Sequence, residues 1–324
     1  MSLFSVWSVS TSAETIRLSL PIDCEIGPEC FVQQYVDQQN GKGYRDFHCG
    51  ALTYDGHRGT DFRLLSHETL ADGVAVIAAA PGTVQYTRDG IQDIDVRLVG
   101  HDAVMEFSNG NFVVIDHGSG WRTIYAHLKR GSLLVKAQQI VKAGQKLGLV
   151  GMSGLTEFPH VHFQVQFGKR VIDPFVGLAT HTNCGVGKKA IWHPDALAKL
   201  DYRPTMLLRT GFSTRPMKRA ALQYGLYTQK VLSRTRGSLY FGVFVAGIYS
   251  GDQLNMQIFD SNGKRIRNGS SIMKNSAAVV FRSIAHEQAT QLPAGQYRAS
   301  FTLYRPKAKE TKRIIAIERR STLR

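Results

Sequence analysis

The 324-residue chain has no apolar run of the roughly 18–20 residues that a membrane-crossing helix needs. Its apolar stretches are short and cut by glycine or polar residues, as strands are. None of the four cysteines forms a C-x-x-C pair, which argues against a structural zinc knuckle. G-x-S-x-G and P-loop motifs are absent. His67-Glu68 and His286-Glu287 begin like H-E-x-x-H, but Ala71 and Thr290 stand where the second histidine is required, so neither is a zincin helix. Zinc-finger, RNP and basic-helix signatures are also missing, which argues against nucleic acid as the partner.

Acidic residues are scarce in one part of the chain only. From Asp201 onward there are 22 Lys/Arg against six acids, a balance of +16; the remainder carries 18 bases and 19 acids. The whole net charge of +15 therefore belongs to the C-terminal part, and such a module seeks a polyanion. Length suggests two domains. The change of character near residue 205 divides the chain into residues 21–204 and residues 205–324.

Residues 61–175 read as short strands separated by turns: Val74–Ala79, Gly82–Thr87, Phe112–Asp116, Arg122–Ala126, Lys146–Val150 and Val161–Phe167. Helices are expected at Cys30–Gln39 and Pro194–Leu200. After 205, strands are expected at Gly225–Leu232, Leu239–Ile248, Gln253–Phe259, Ala277–Ile284, Gly295–Tyr304 and Arg313–Arg319, the spacing of a small β-sandwich. The fold class is thus mainly β. Residues 1–20 admit two readings. Met1–Ala13 ends like a signal-peptidase site but is short and lacks a basic start; alternatively Thr15–Leu20 is a first strand.

Cys24, Cys30, Cys49 and Cys184 suit an oxidising compartment. Of the three pairings that four cysteines allow, Cys24–Cys30 with Cys49–Cys184 closes a short Gly-Pro loop and ties the two ends of the N-terminal domain.

The chemistry-bearing residues fall in three places. Gly56-His57-Arg58-Gly59-Thr60-Asp61 sets a His and an Asp four apart. Pro159-His160-Val161-His162-Phe163 puts two histidines on one face of a strand, with Val161 and Phe163 directed to the core. Between them lies Tyr125-Ala126-His127-Leu128. Imidazole nitrogen and carboxylate oxygen are zinc donors, and three protein donors with an open fourth position make a reactive centre. Either fragment alone is weak; together, in this order, they point to one metal site.

With Ala80-Pro81-Gly82-Thr83-Val84, Val114-Ile115-Asp116-His117-Gly118, Val141-Lys142-Ala143-Gly144-Gln145, Gly148-Leu149-Val150-Gly151-Met152-Ser153-Gly154 and Asp173-Pro174-Phe175, these motifs make residues 57–175 resemble the lysostaphin-type (LytM-like) zinc endopeptidases. Cys24, Cys30, Val36-Asp37 and Cys49-Gly50 resemble the Gram-negative envelope type. The resemblance implies an antiparallel β-sheet peptidase domain with a groove (core 52–176). It implies one zinc on His57, Asp61 and His162, and catalytic roles for His127 and His160. The implied activity is hydrolysis of peptide bonds in peptidoglycan stem peptides or cross-links, in the periplasm or outside the cell. The basic C-terminal part would then meet an anionic envelope polymer. The competing reading is a non-catalytic activator of a cell-wall amidase that keeps zinc for structure. One departure is the long segment Arg88–Asn111, whose acids could shape one end of the groove. His101, His117, His181 and His193 read as structural or surface histidines, and Trp121 and Tyr125 as core. The bond cut and the oligomeric state stay open.

Overall fold

The computed structural model describes residues 15–65, 70, 73–178, 183–233, 236–307 and 310–324, with the side chains of 236–237 and 288–291 outside that description. His67, His181 and the expected leader Met1–Ala13 lie outside the described residues. The fold is mainly β, in antiparallel sheets.

The described residues of the first part build ten strands: β1 (Cys30–Gln34), β2 (Thr60–Leu64), β3 (Ala75–Ile77), β4 (Gly82–Arg88), β5 (Asn111–Asp116), β6 (Trp121–Leu128), β7 (Ile140–Val141), β8 (Lys146–Leu149), β9 (His160–Phe167) and β10 (Arg170–Ile172). One sheet runs β1-β2-β9-β6-β5-β4-β7, with β10 paired to β9; β3 and β8 pair separately. Its core is formed by alternate strand residues such as Val113, Ile115, Tyr125, Val161, Phe163 and Val165, with Trp121 and Trp192. Trp121 and Tyr125 are core residues, as expected.

Cys30–Gln39 is not a helix. Its first five residues are β1, buried along their whole length. A strand buried on both faces loses the period-2 alternation that distinguishes it from a helix. Thr15–Leu20 is not a strand either; within it Leu18 makes one isolated bridge, to Trp192. The disulfides are Cys24–Cys30 and Cys49–Cys184, with Cα separations of 6.2 and 5.2 Å. Among the described residues no helix is long and apolar enough to cross a membrane.

Three short α-helices lie wholly within the described residues: α1 (Val96–Val99), α2 (Pro194–Leu197), close to the expected Pro194–Leu200, and α3 (Arg219–Gln223). The expected strand Gly225–Leu232 fails at its start. The Arg-Ala-Ala-Leu-Gln run before it is helix-forming, and Gly225, at φ +82°, lies just past the end of that helix. Only Val231–Leu232 is extended, as β12.

The last part contains β11 (Met206–Ser213), β12, β13 (Arg236–Ile248), β14 (Gln253–Phe259), β15 (Arg265–Ile272), β16 (Ala277–Gln291), β17 (Gly295–Pro306) and β18 (Thr311–Leu323). They form a sheet β11-β13-β16 and a sheet β12-β18-β17-β14-β15. Inner residues of both, among them Phe241, Val243, Met256, Ile258 and Phe301, share one core, as the sandwich reading requires. β11 and β15 were not expected. β15 exposes Arg265, Arg267, Asn268, Ser270 and Ile272 and has little apolar pattern.

β13 is apolar on both faces. Leu239, Phe241, Val243 and Val245 enter the sandwich core, while Phe244 and Ala246 join Phe31 of β1, Leu208 and Leu222 in a separate cluster. The basic part is thereby packed directly against β1.

Candidate metal centre

β2 and β9 bring the expected residues together by register. Asp61 faces His162 across the pair, and Arg63 faces His160. Alternation sends Phe62, Val161 and Phe163 into the core and leaves the four polar side chains on the opposite face. His57, four residues before Asp61, stands in the preceding loop.

Three donor atoms converge. His57 Nε2 lies 3.2 Å from His162 Nδ1 and 3.3 Å from Asp61 Oδ1, and His162 Nδ1 lies 2.9 Å from Asp61 Oδ1. The edge of a tetrahedron with zinc–donor bonds of about 2.0–2.1 Å is about 3.3 Å. Proton accounting points the same way. His57 Nδ1 is 2.7 Å from the Tyr35 carbonyl, which only accepts, so Nδ1 carries the hydrogen and a neutral ring presents a bare Nε2. The neutral histidine pair then offers at most one proton, on His162, to this triangle of acceptors. A cation satisfies all three donors at once. His57 and Asp61 are buried, and burying an uncompensated carboxylate costs several kcal/mol. Burial alone would raise the Asp61 carboxyl, but His57 and His160 beside it hold it well below the usual carboxylate range. Burial opposes protonation of His57; Asp61 outweighs it and raises that imidazole.

His127 and His160 stand beside the triangle, their ring centroids 4.6 Å apart, with His127 6.0 Å from His162. Both are oriented by backbone carbonyls: His127 Nδ1 donates to Ser153 O at 2.8 Å, and His160 Nδ1 to Phe158 O at 2.9 Å. Each ring therefore turns a bare Nε2 away from the carbonyl that holds it. Burial, then the neighbouring imidazoles, keeps His127 well below the ordinary histidine range; burial lowers His160 as well.

The position of His127 depends on an irregularity. Asn111 pairs with Leu128, but Val113 pairs with Tyr125, so Ala126 and His127 together oppose Phe112. Without that bulge, His127 would point to the same side as Tyr125, into the core. His127 takes φ +62°, a left-handed conformation uncommon for a side-chain-bearing residue. Ser153 secures the bulge: its Oγ donates to Leu128 O at 2.7 Å and accepts from Asn111 N at 2.8 Å.

Asp61, His127, His160 and His162 line a cleft of about 540 Å³. Its walls include Tyr54, whose ring centroid is 4.5 Å from that of His57, and Val96 and His101 from the Arg88–Asn111 segment. That segment does shape the groove. Its acids also tie it down: Asp93 accepts from Met152 N and Arg130 N, and Asp95 accepts from Tyr224. The opposite wall comes from the C-terminal part, through Arg219, Gln223, Ala278 and Val279. Sequence reading missed Arg63, Tyr54, Ser153 and this wall. Arg63 carried a signal, being two residues from Asp61 on one strand, and Ser153 stood within a motif of the resemblance without a role. His117 is structural, bridging Pro81 O and Thr123 Oγ1, and His193 caps α2; His101 is exposed at the cleft rim.

A β-carbon on Gly59 would stand 2.5 Å from His162 Cε1 and 2.6 Å from Nε2. Gly59→Ala must therefore push that ring off the triangle. Metal affinity is expected to fall about 10–100-fold, the size of an orientation defect, as read by competition with a chromophoric chelator. Unchanged affinity would mean His162 is not a donor.

Residues 55–174 match Peptidase family M23. An uncharacterized metalloprotease of Haemophilus influenzae is 30% identical over 130 residues, 40% of this chain and 22% of that protein. Peptidoglycan DD-endopeptidase ShyB of Vibrio cholerae is 45% identical over 64 residues, 20% of this chain and 15% of that protein. Murein hydrolase activator NlpD of Escherichia coli is 30% identical over 102 residues, 32% of this chain and 22% of that protein. The chain thus spans between 15% and 22% of the length of these three relatives. A zinc-containing peptidase from Vibrio cholerae is a similar solved structure, at 28% identity over 44% of this chain and 39% of that one, with a TM-score of 0.29.

Proposed function

We propose that this M23 domain hydrolyses peptide bonds in the stem peptides or cross-links of peptidoglycan, with one zinc ion held by His57, Asp61 and His162. The observation that carries the reading is the buried triangle of two imidazole nitrogens and one carboxylate oxygen, which has at most one proton to share among three acceptors and which a cation would satisfy together. Zinc bound there supplies Lewis acidity, polarising a carbonyl and acidifying water. The chain's own part is proton handling and positioning. His127 and His160, fixed through Nδ1, present Nε2 as acceptors. One takes the proton of the attacking water at Nε2 and, as imidazolium, passes that same proton to the leaving amine, while the other orients the water by accepting a hydrogen bond from it. Tyr54 and the Arg88–Asn111 segment border the groove in which an extended peptide lies.

In this reading residues 21–204 are the peptidase domain and residues 205–324 a second, basic domain. The two disulfides and the substrate fit an oxidising compartment, the periplasm or the exterior. The test is digestion of purified sacculi by the zinc-loaded protein, with mass spectrometry of the products. New amino and carboxyl ends within stem peptides support the proposal; release only of intact stem peptides from the glycan contradicts it. The similarity to a murein hydrolase activator favours a second reading, a regulator that keeps zinc for structure. That reading requires His160→Ala to retain the full effect on an amidase.

The basic domain is proposed to hold the enzyme against an anionic envelope polymer. The Debye length shrinks from about 30 Å at 0.01 M salt to about 3 Å at 1 M. Sacculus binding by the full chain is therefore expected to weaken steeply with added salt in a pelleting assay. Binding that is indifferent to salt would remove this role.

A further inference from the structure

Arg63 has an unusual environment. It is 3% exposed, yet it lines the cleft. Among the described residues its one side-chain hydrogen bond is from Nη1 to Gln33 Oε1, and its Nε has no partner. Its guanidinium lies over the Phe158 ring, 4.3 Å from the centroid, and 5.6 Å from that of Phe244. No carboxylate of the described residues forms an ion pair with it.

The neighbouring charges do not supply one. Asp95 is engaged by Arg97. Glu157 sits 3.1 Å from Arg219 and 3.6 Å from Arg97. Four guanidiniums, those of Arg63, Arg97, Arg209 and Arg219, thus neighbour two carboxylates, and both carboxylates are paired with Arg97 and Arg219. Arg219 also has a buried Nε without a partner. A guanidinium buried without a counter-charge is costly, whereas one that meets a carboxylate forms strong, geometrically selective hydrogen bonds.

Arg63 is aligned with the proposed metal site. It follows Asp61 by two residues on β2, on the same face, and is paired with His160 as Asp61 is with His162. Two strand residues span roughly 7 Å, about the length of two residues of an extended peptide.

We propose that Arg63, assisted by Arg219, is the subsite that binds a free carboxylate of the substrate, within about two residues of the scissile bond. This rests on the hydrolase reading for the word scissile, but not for the binding itself. The ligand class is a peptide with a free α- or side-chain carboxylate, and the preferred substrate is one in which that group is not amidated.

The experiment uses a purified cross-linked muropeptide and the same peptide with its carboxyls converted to methylamides. Cleavage by the zinc-loaded full chain is measured for both, and binding of both is measured on zinc-loaded His127→Ala. The acid form is expected to show an advantage of about 10–100-fold in KM and in affinity, the size of a charge-assisted hydrogen bond. Arg63→Gln should abolish that advantage at unchanged zinc content, Arg63→Lys should retain part of it, and Arg219→Gln, at a more exposed position, should reduce it. Equal KM and affinity for acid and amide in the unmodified chain overturn the subsite, whatever the variants do. So does an advantage that survives in Arg63→Gln. Selective binding of the acid form without cleavage of either peptide supports the subsite and removes the hydrolase reading.

Discussion

His57→Ala is expected to lose the bound metal and peptide hydrolysis together. Two donors remain, Asp61 Oδ1 and His162 Nδ1, and at 2.9 Å they can satisfy each other by a hydrogen bond without any cation. The loss in affinity should exceed the roughly 10–100-fold that a defect in an outer hydrogen-bond partner costs. Zinc content after dialysis should fall from one per chain towards none, while the fold persists, because the His57 ring packs mainly against Tyr54 and the metal cluster and not within the sheet core. Retention of one zinc per chain by this variant would refute the donor assignment.

His127→Ala is expected to separate chemistry from metal binding. Zinc content should stay at one per chain while kcat falls about 10²–10⁴-fold, the contribution of a positioned acid–base group. His127 is outside the donor triangle and is held by Ser153 O, so its removal leaves His57, Asp61 and His162 where they are. A variant with undiminished turnover would leave His160 as the only proton carrier. Loss of zinc in the same variant would make His127 a fourth donor and close the open position that the hydrolase reading needs.

Much of the site was legible before the fold was known, for a specific reason. His160 and His162 are separated by one residue on a strand, and that spacing alone puts both on one face. Asp61 on β2 obeys the same alternation, so β2–β9 register completes the pair. His127 was recognised by resemblance, but alternation would have pointed it into the core beside Tyr125. The bulge that turns it depends on Asn111 and Ser153, which are distant in sequence and have no periodic signature. β1 was misread because burial on both faces removes alternation. β15 was missed for the opposite reason, since no residue of it is fully buried and only Ile266 packs on the sandwich core. The C-terminal wall of the cleft was invisible because it arises from Phe31 packing against Phe244 and Leu208, a tertiary contact that neither segment announces. Arg63 shows the limit of motif reading. Alternation placed it correctly, yet only its burial and missing partner set it apart from any other strand arginine.

The most direct measurement is a crystal structure of the zinc-loaded protein with anomalous data collected at the zinc edge. The account predicts one peak per chain inside the His57–Asp61–His162 triangle, with two nitrogen donors, one carboxylate oxygen and the remaining position facing the cleft and taken by solvent. A peak elsewhere, or a fourth protein donor in that position, would contradict it.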